Sequence, residues 1–104
     1  MVTIPSYILE KINKYIELIQ NRGIRIINVY LYGSYANNNF NEYSDIDLAI
    51  FSDSFTGIGV IDIDKISGIS RQVDSRISAL TLNRESFDSY FVKSEIIDKG
   101  IKII

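Results

Sequence analysis

Ile8, Ile12, Ile16 and Ile19 recur at helical spacing with polar residues between them, which marks one apolar stripe. Pro5 suits a first-turn position and Gly23 suits a C-terminal cap, so the pattern predicts an amphipathic helix over 5–22. The periodicity then changes. Residues 25–32 are rich in Ile, Val and Tyr and run into Gly33-Ser34, the signature of a buried strand entering a tight turn, with a short helical turn over 35–38. After a polar loop, residues 44–51 alternate polar and apolar as a second strand that stops at Ser52-Asp53-Ser54.

Ile58, Ile61, Ile66 and Ile69 predict a helix over 58–69, although Gly57, Gly59 and Gly68 punctuate it. Residues 72–82 alternate again as a third strand. Asn83 can cap a helix over 84–99, Gly100 ends it, and 101–104 can add a terminal strand. Helices and strands that alternate in this way predict an α/β (α+β) fold. No repeat, low-complexity tract or linker divides the chain, so residues 1–104 are expected to form a single domain.

Composition narrows the chemistry. The 104 residues are 46% hydrophobic, enough for one modest core. There is no cysteine and no histidine, which removes disulfides, thiol nucleophiles, the usual zinc ligand sets and any histidine base. Reactions must run on carboxylates, hydroxyls and amines. The net charge is −2, with acids and bases interspersed, so the broad basic face that duplex nucleic acid demands is missing and no direct nucleic-acid partner is expected. Met1-Val2-Thr3-Ile4-Pro5 has no leader pattern and no apolar run reaches spanning length, which predicts a cytoplasmic protein without a membrane partner.

Two motifs carry candidate chemistry. At Gly33-Ser34 a strand turns toward a helical segment, where unpaired N–H groups gather, glycine allows close approach and the serine hydroxyl can donate to a phosphate oxygen. Such pairs are also ordinary turns. Eleven residues on, Asp45 and Asp47 stand two apart in a strand and so share a face, while Ile46, Leu48 and Ile50 point to the core. Like charges so close repel unless a cation lies between them, and hard oxygen ligands suit magnesium. The alternative is a pair of acids on the solvent face of an edge strand. Asp62-Ile63-Asp64 has the same spacing on a helix, where its acids diverge by about 200° and face solvent. Tyr32, Tyr35 and Tyr43 flank the motifs, where packing accounts for them.

The stretch Gly33-Ser34-Tyr35-Ala36 through Ser44-Asp45-Ile46-Asp47-Leu48-Ala49-Ile50 resembles the signature of the polymerase-beta-like nucleotidyltransferase superfamily, specifically its minimal, MNT-type members. The predicted element order agrees from about residue 5 to 82. The resemblance implies that fold, a small mixed sheet flanked by helices, with two Mg2+ ions held by the acids and bridging a triphosphate whose β- and γ-phosphates lie on the Gly33-Ser34 turn. Where the family often has a basic residue and then glycine, this chain has Asn37 and Asn38; asparagine tolerates left-handed backbone, but the charge is missing. The family's third carboxylate falls on the next strand, where Asp74 is the candidate metal ligand and proton acceptor. Relatives that carry the acid further along place it near Ser78.

These features imply transfer of a nucleoside monophosphate, AMP from ATP, to an acceptor hydroxyl with release of pyrophosphate. Resemblance to the minimal members further implies an antitoxin that adenylylates a HEPN-type toxin. A second reading is an inactive binding module that neutralises its partner by occlusion, which Asn37, Asn38 and the uncertain third acid favour. A small-molecule nucleotidyltransferase is a third.

Overall fold

The computed structural model describes residues 4–104. Strands β1 (Ile26–Tyr32), β2 (Ile46–Ser52), β3 (Ile77–Leu82) and β4 (Ile101–Lys102) form one sheet in the order β3-β2-β1-β4. β1 runs antiparallel to β2 and β4, while β2 and β3 are parallel, so the sheet is mixed, as the family resemblance implies. Among the described residues three α-helices accompany it: α1 (Ser6–Asn21), α2 (Gly59–Asp62) and α3 (Ile69–Val73).

The apolar stripe of α1 buries Ile8, Ile12, Tyr15, Ile16 and Ile19. They pack with Val29 and Leu31 of β1, and with Ile46, Leu48 and Ile50 of β2. Each such side chain contributes about 1.5–3 kcal/mol on leaving water, so this face is the main core. Pro5 occupies the N-cap position rather than the first turn. On the other face Ala49 and Phe51 of β2 pack with Val92 and Ile96. The Phe51 ring also stacks on Phe87, with centroids 4.2 Å apart. β2 is therefore covered on both faces along its length, and Asp47 is its one residue that approaches solvent.

The helix expected over 58–69 is three pieces. α2 passes into a 3-10 turn at Ile63–Ile66, and the chain breaks at Ser67 and Gly68, the latter with φ of 82°, before α3. The apolar spacing misleads here because Ile58, Val60, Ile61 and Ile63 are exposed while Ile66 and Ile69 enter the core. Asp62, expected on a solvated face, is fully buried. It accepts from the Thr56 N–H at 2.7 Å, the Thr56 hydroxyl at 3.0 Å and the Gly57 N–H at 2.9 Å, and Lys65 lies 3.6 Å away. Burial alone would raise its carboxyl, but these donors hold it below the ordinary value. Asp62 thus ties down the loop after β2.

The helix expected over 84–99 is likewise split. Asn83 and Ser86 form a reciprocal cap on a 3-10 turn at Arg84–Asp88, and extended backbone at Ser89 interrupts it. The chain then winds as a π-helix over Val92–Asp98, laying Val92 and Ile96 on the sheet. This segment closes the second core.

The strand expected over 72–82 starts only at Ile77, because residues 72 and 73 belong to α3 and Asp74 caps that helix with extended backbone. The Asp74 carboxylate accepts from Lys11 of α1 at 2.6 Å, from Arg76 Nη2 at 2.8 Å and from the Arg76 N–H at 2.9 Å. The Arg76 hydrogen bonds, with help from Lys11 and against the cost of burial, hold the Asp74 carboxyl far below the usual carboxylate range. A depressed folded-state pKa gives stability that is complete above the unfolded value, about 3.9, and is lost as pH falls below it. Asp74→Asn is expected to cost about 1–3 kcal/mol at pH 7. It should also flatten the acid limb of the stability curve below about pH 4, measured by urea melts across pH. An unchanged acid limb would show that the Lys11–Asp74–Arg76 cluster contributes no linkage.

Candidate active site

β1 ends at Tyr32, which registers opposite Asp47 near the start of β2. The chain then turns through a three-residue 3-10 segment, Gly33–Tyr35, closed by the Ala36 N–H on Gly33 O at 3.1 Å. The first N–H groups of such a turn have no acceptor within it, so those of Ser34 and Tyr35 are left for other partners. Gly33 has φ of 72°, and a Cβ at that position would be driven into the Asp47 carboxylate. Glycine meets both demands without strain and without displacing that carboxylate. The carboxylate of β2 and the Gly33 turn of β1 therefore touch, which joins the two motifs into one site.

Beyond the turn, Asn38 adopts φ of 57°, the left-handed conformation for which asparagine substitutes for glycine. The loop then folds on itself, with the Asn41 N–H on Ser44 Oγ at 2.9 Å and the Tyr43 N–H on Asn41 Oδ1 at 2.8 Å. It delivers Asp45 immediately before β2 rather than within it. Asp45 is exposed and Asp47 half-buried. Burial first, and then the charge of Asp45, raise the Asp47 carboxyl above its ordinary value. Burial and Asp47 similarly raise the Tyr32 hydroxyl. Both shifts come first from burial and then from a neighbouring acid.

Asp74 does not join this pair. Asp47 lies on the sheet face of Ala49 and Phe51, whereas Asp74 binds Lys11 of α1 on the opposite face. The residue that β3 places beside Asp47 is Ser78. Among the described residues no group of three or more acidic, histidine or cysteine side chains is arranged to hold a metal ion. The expected triad of Asp45, Asp47 and Asp74 is therefore not assembled, and the reason is the late start of β3. Asp74 acts on the site from outside: Arg76, which it orients, donates to Glu42 O at 2.7 Å and accepts the Ile46 N–H on its own carbonyl at 2.9 Å. Those two bonds fasten both ends of the segment that carries Asp45.

Of the tyrosines, Tyr35 is buried in the α1 core and stacks on Phe40, and Tyr43 is exposed. Tyr32 is the one that reaches the site. With Gly33, Asn37, Phe91, Glu95 and Lys99 it lines a cleft of about 380 Å3. The last three were missed in the sequence, although Phe91, Glu95 and Lys99 recur every fourth residue and the Glu95–Lys99 pair has the spacing of a helical ion pair.

The sequence matches the profile of the nucleotidyltransferase domain over residues 9–103. No curated protein matches it. Among solved structures, a candidate nucleotidyltransferase from Sulfolobus solfataricus is similar with a TM-score of 0.64 at 18% identity, over 98% of this chain and 89% of that one. A toxin–antitoxin complex with AMP-PNP is similar with a TM-score of 0.63 at 22% identity, over 86% of this chain and 69% of the other. A mutant MntA–HpeT toxin–antitoxin pair gives 0.61 at 19% identity, with the same two shares. At these identities the structures speak to the fold, and the profile match, which spans nearly the whole sequence, shows that the chain belongs to the nucleotidyltransferase domain family.

Proposed function

We propose that the chain is a metal-dependent nucleotidyltransferase of the minimal type. In this reading it moves AMP from ATP to a hydroxyl on a HEPN-type toxin in the cytoplasm and so acts as its antitoxin. The observation that carries the reading is the Asp47 carboxylate seated against Gly33, raised first by burial and then by the charge of Asp45. Two carboxylates that repel each other beside a turn with spare N–H donors fit a divalent cation on one side and phosphate oxygens on the other. Asp45 and Asp47 would hold magnesium, which supplies charge neutralisation at the phosphates. Ser34 and the turn N–H groups bind and orient the phosphate chain, and the Glu42 and Ile46 anchors keep Asp45 in place. The acceptor hydroxyl attacks the α-phosphorus, the bond to pyrophosphate breaks, and the hydroxyl proton passes to solvent water. The antitoxin role and the nucleotide draw support from the toxin–antitoxin neighbours, one of which holds AMP-PNP.

A second reading, occlusion without catalysis, is favoured by one specific observation. β3 sets Ser78 rather than a carboxylate beside Asp47, and Asp74 is engaged across the sheet. Mass spectrometry separates the two. Incubation with ATP, magnesium and the co-encoded toxin is expected to add AMP to the toxin, and Asp47→Asn to stop it. Full protection of the toxin without nucleotide and without modification would refute the enzyme reading.

Asp47 itself gives a second prediction. Because its folded-state pKa lies above that of the unfolded chain, ionised Asp47 costs stability at neutral pH, and the cost is relieved as pH falls through the folded value. Asp45→Asn with Asp47→Asn is therefore expected to raise the metal-free Tm at pH 7 by about 1–3 °C and to leave it unchanged near pH 3. The same variant should lose magnesium-dependent ATP binding by calorimetry. A large fall in metal-free Tm would make the two acids structural and contradict the proposal.

A further inference from the structure

Magnesium-free parts of a triphosphate chain need positive charge, yet the described groups around the Gly33 turn supply none: Gly33, Ser34 and Asn37 are neutral, and Asp45 and Asp47 are negative. The cleft of about 380 Å3 that opens beside the turn has one cation in its lining, Lys99 at the end of the π-helix. Lys99 Nζ donates to Glu95 Oε1 at 3.0 Å, and both side chains are about half exposed. A surface pair of this kind contributes little stability, so nothing in the fold depends on it. Its position across the cleft from Gly33 and Asn37 is what distinguishes it from the other surface lysines.

We infer that Lys99 is a phosphate-binding residue, which the π-helix brings to the cleft beside Gly33 and Asn37 to meet the polyphosphate tail of the nucleotide, with Glu95 holding it when the cleft is empty. The inference rests on the reading of the Gly33-Ser34 turn as a triphosphate site. Lysine suits the task because its ammonium is a compact point charge on a flexible stem that can swing from a carboxylate to a phosphate. Glu95 competes for that charge and repels the polyanion, so the pair sets affinity from both sides.

Calorimetry of the full chain with ATP, ADP, AMP and adenosine, each with magnesium, tests the inference. Lys99→Gln is expected to weaken ATP binding about ten- to a hundredfold, ADP less, and AMP and adenosine hardly at all. Lys99→Arg should recover most of the loss, and Glu95→Gln should tighten ATP binding several-fold. Equal losses across all four ligands, or no loss for ATP while Asp47→Asn still abolishes binding, would overturn the role of Lys99 and leave the proposed function standing. Weaker ATP binding by Glu95→Gln would overturn it too, since Glu95 would then serve the metal. Absence of magnesium-dependent ATP binding in the unaltered protein would instead bring down the proposed function, and this inference with it. Circular dichroism of each variant separates misfolding from lost affinity, and Lys99→Arg gives a fold-preserving control.

Discussion

The contact between the Asp47 carboxylate and the bare Cα of Gly33 is the constraint on which the site depends. It requires β1 and β2 to be antiparallel neighbours in one register, because Tyr32 must stand opposite Asp47 for the next residue to meet that side chain. It requires a left-handed residue without a Cβ where β1 ends. It also sets an acid that burial and Asp45 raise above its ordinary value beside the N–H groups of the turn.

The rest of the fold makes that contact rigid. β2 is sandwiched between α1 and the π-helix, so its backbone cannot shift to relieve the two acids. The loop that carries Asp45 is pinned from below by Arg76, and Arg76 is oriented by Asp74 and Lys11. One ion cluster on the α1 face thereby fixes the position of an acid presented at the other face. The π-helix contributes in a second way, since the segment that covers Phe51 also carries Phe91, Glu95 and Lys99 to the cleft.

Much of this was legible in the sequence, where local pattern and burial coincide. α1, β1 and β2 follow from the Ile8-to-Ile19 stripe, the Ile-Val-Tyr run and the alternation around Asp47, because each has one face on a large core. Gly33, Ser34, Asp45 and Asp47 were visible as a motif for the same reason: a fixed turn and a fixed register convert spacing into geometry. Reading failed where tertiary contacts overrode pattern. Ile58 and Ile61 look like a core face but are exposed, while Asp62 looks solvated but is buried among three donors. Asp74 reads as a strand residue, yet the Lys11 and Arg76 partners that hold it come from distant or turn positions that alternation does not encode. Phe91, Glu95 and Lys99 reach the cleft only because the backbone breaks at Ser89 and rewinds, which helical periodicity alone does not announce.

The central claim is that Asp45, Asp47 and the Gly33-Ser34 turn together hold a metal-bound nucleoside triphosphate. A crystal grown with Mn2+ and a non-hydrolysable ATP analogue tests it most directly, because anomalous scattering locates the metal and the density locates the phosphates. Metal is expected between the Asp45 and Asp47 carboxylates, with phosphate oxygens on Ser34 Oγ and the turn N–H groups. Metal bound at Asp74 or Glu95 instead, or phosphates seated away from Gly33, would contradict it.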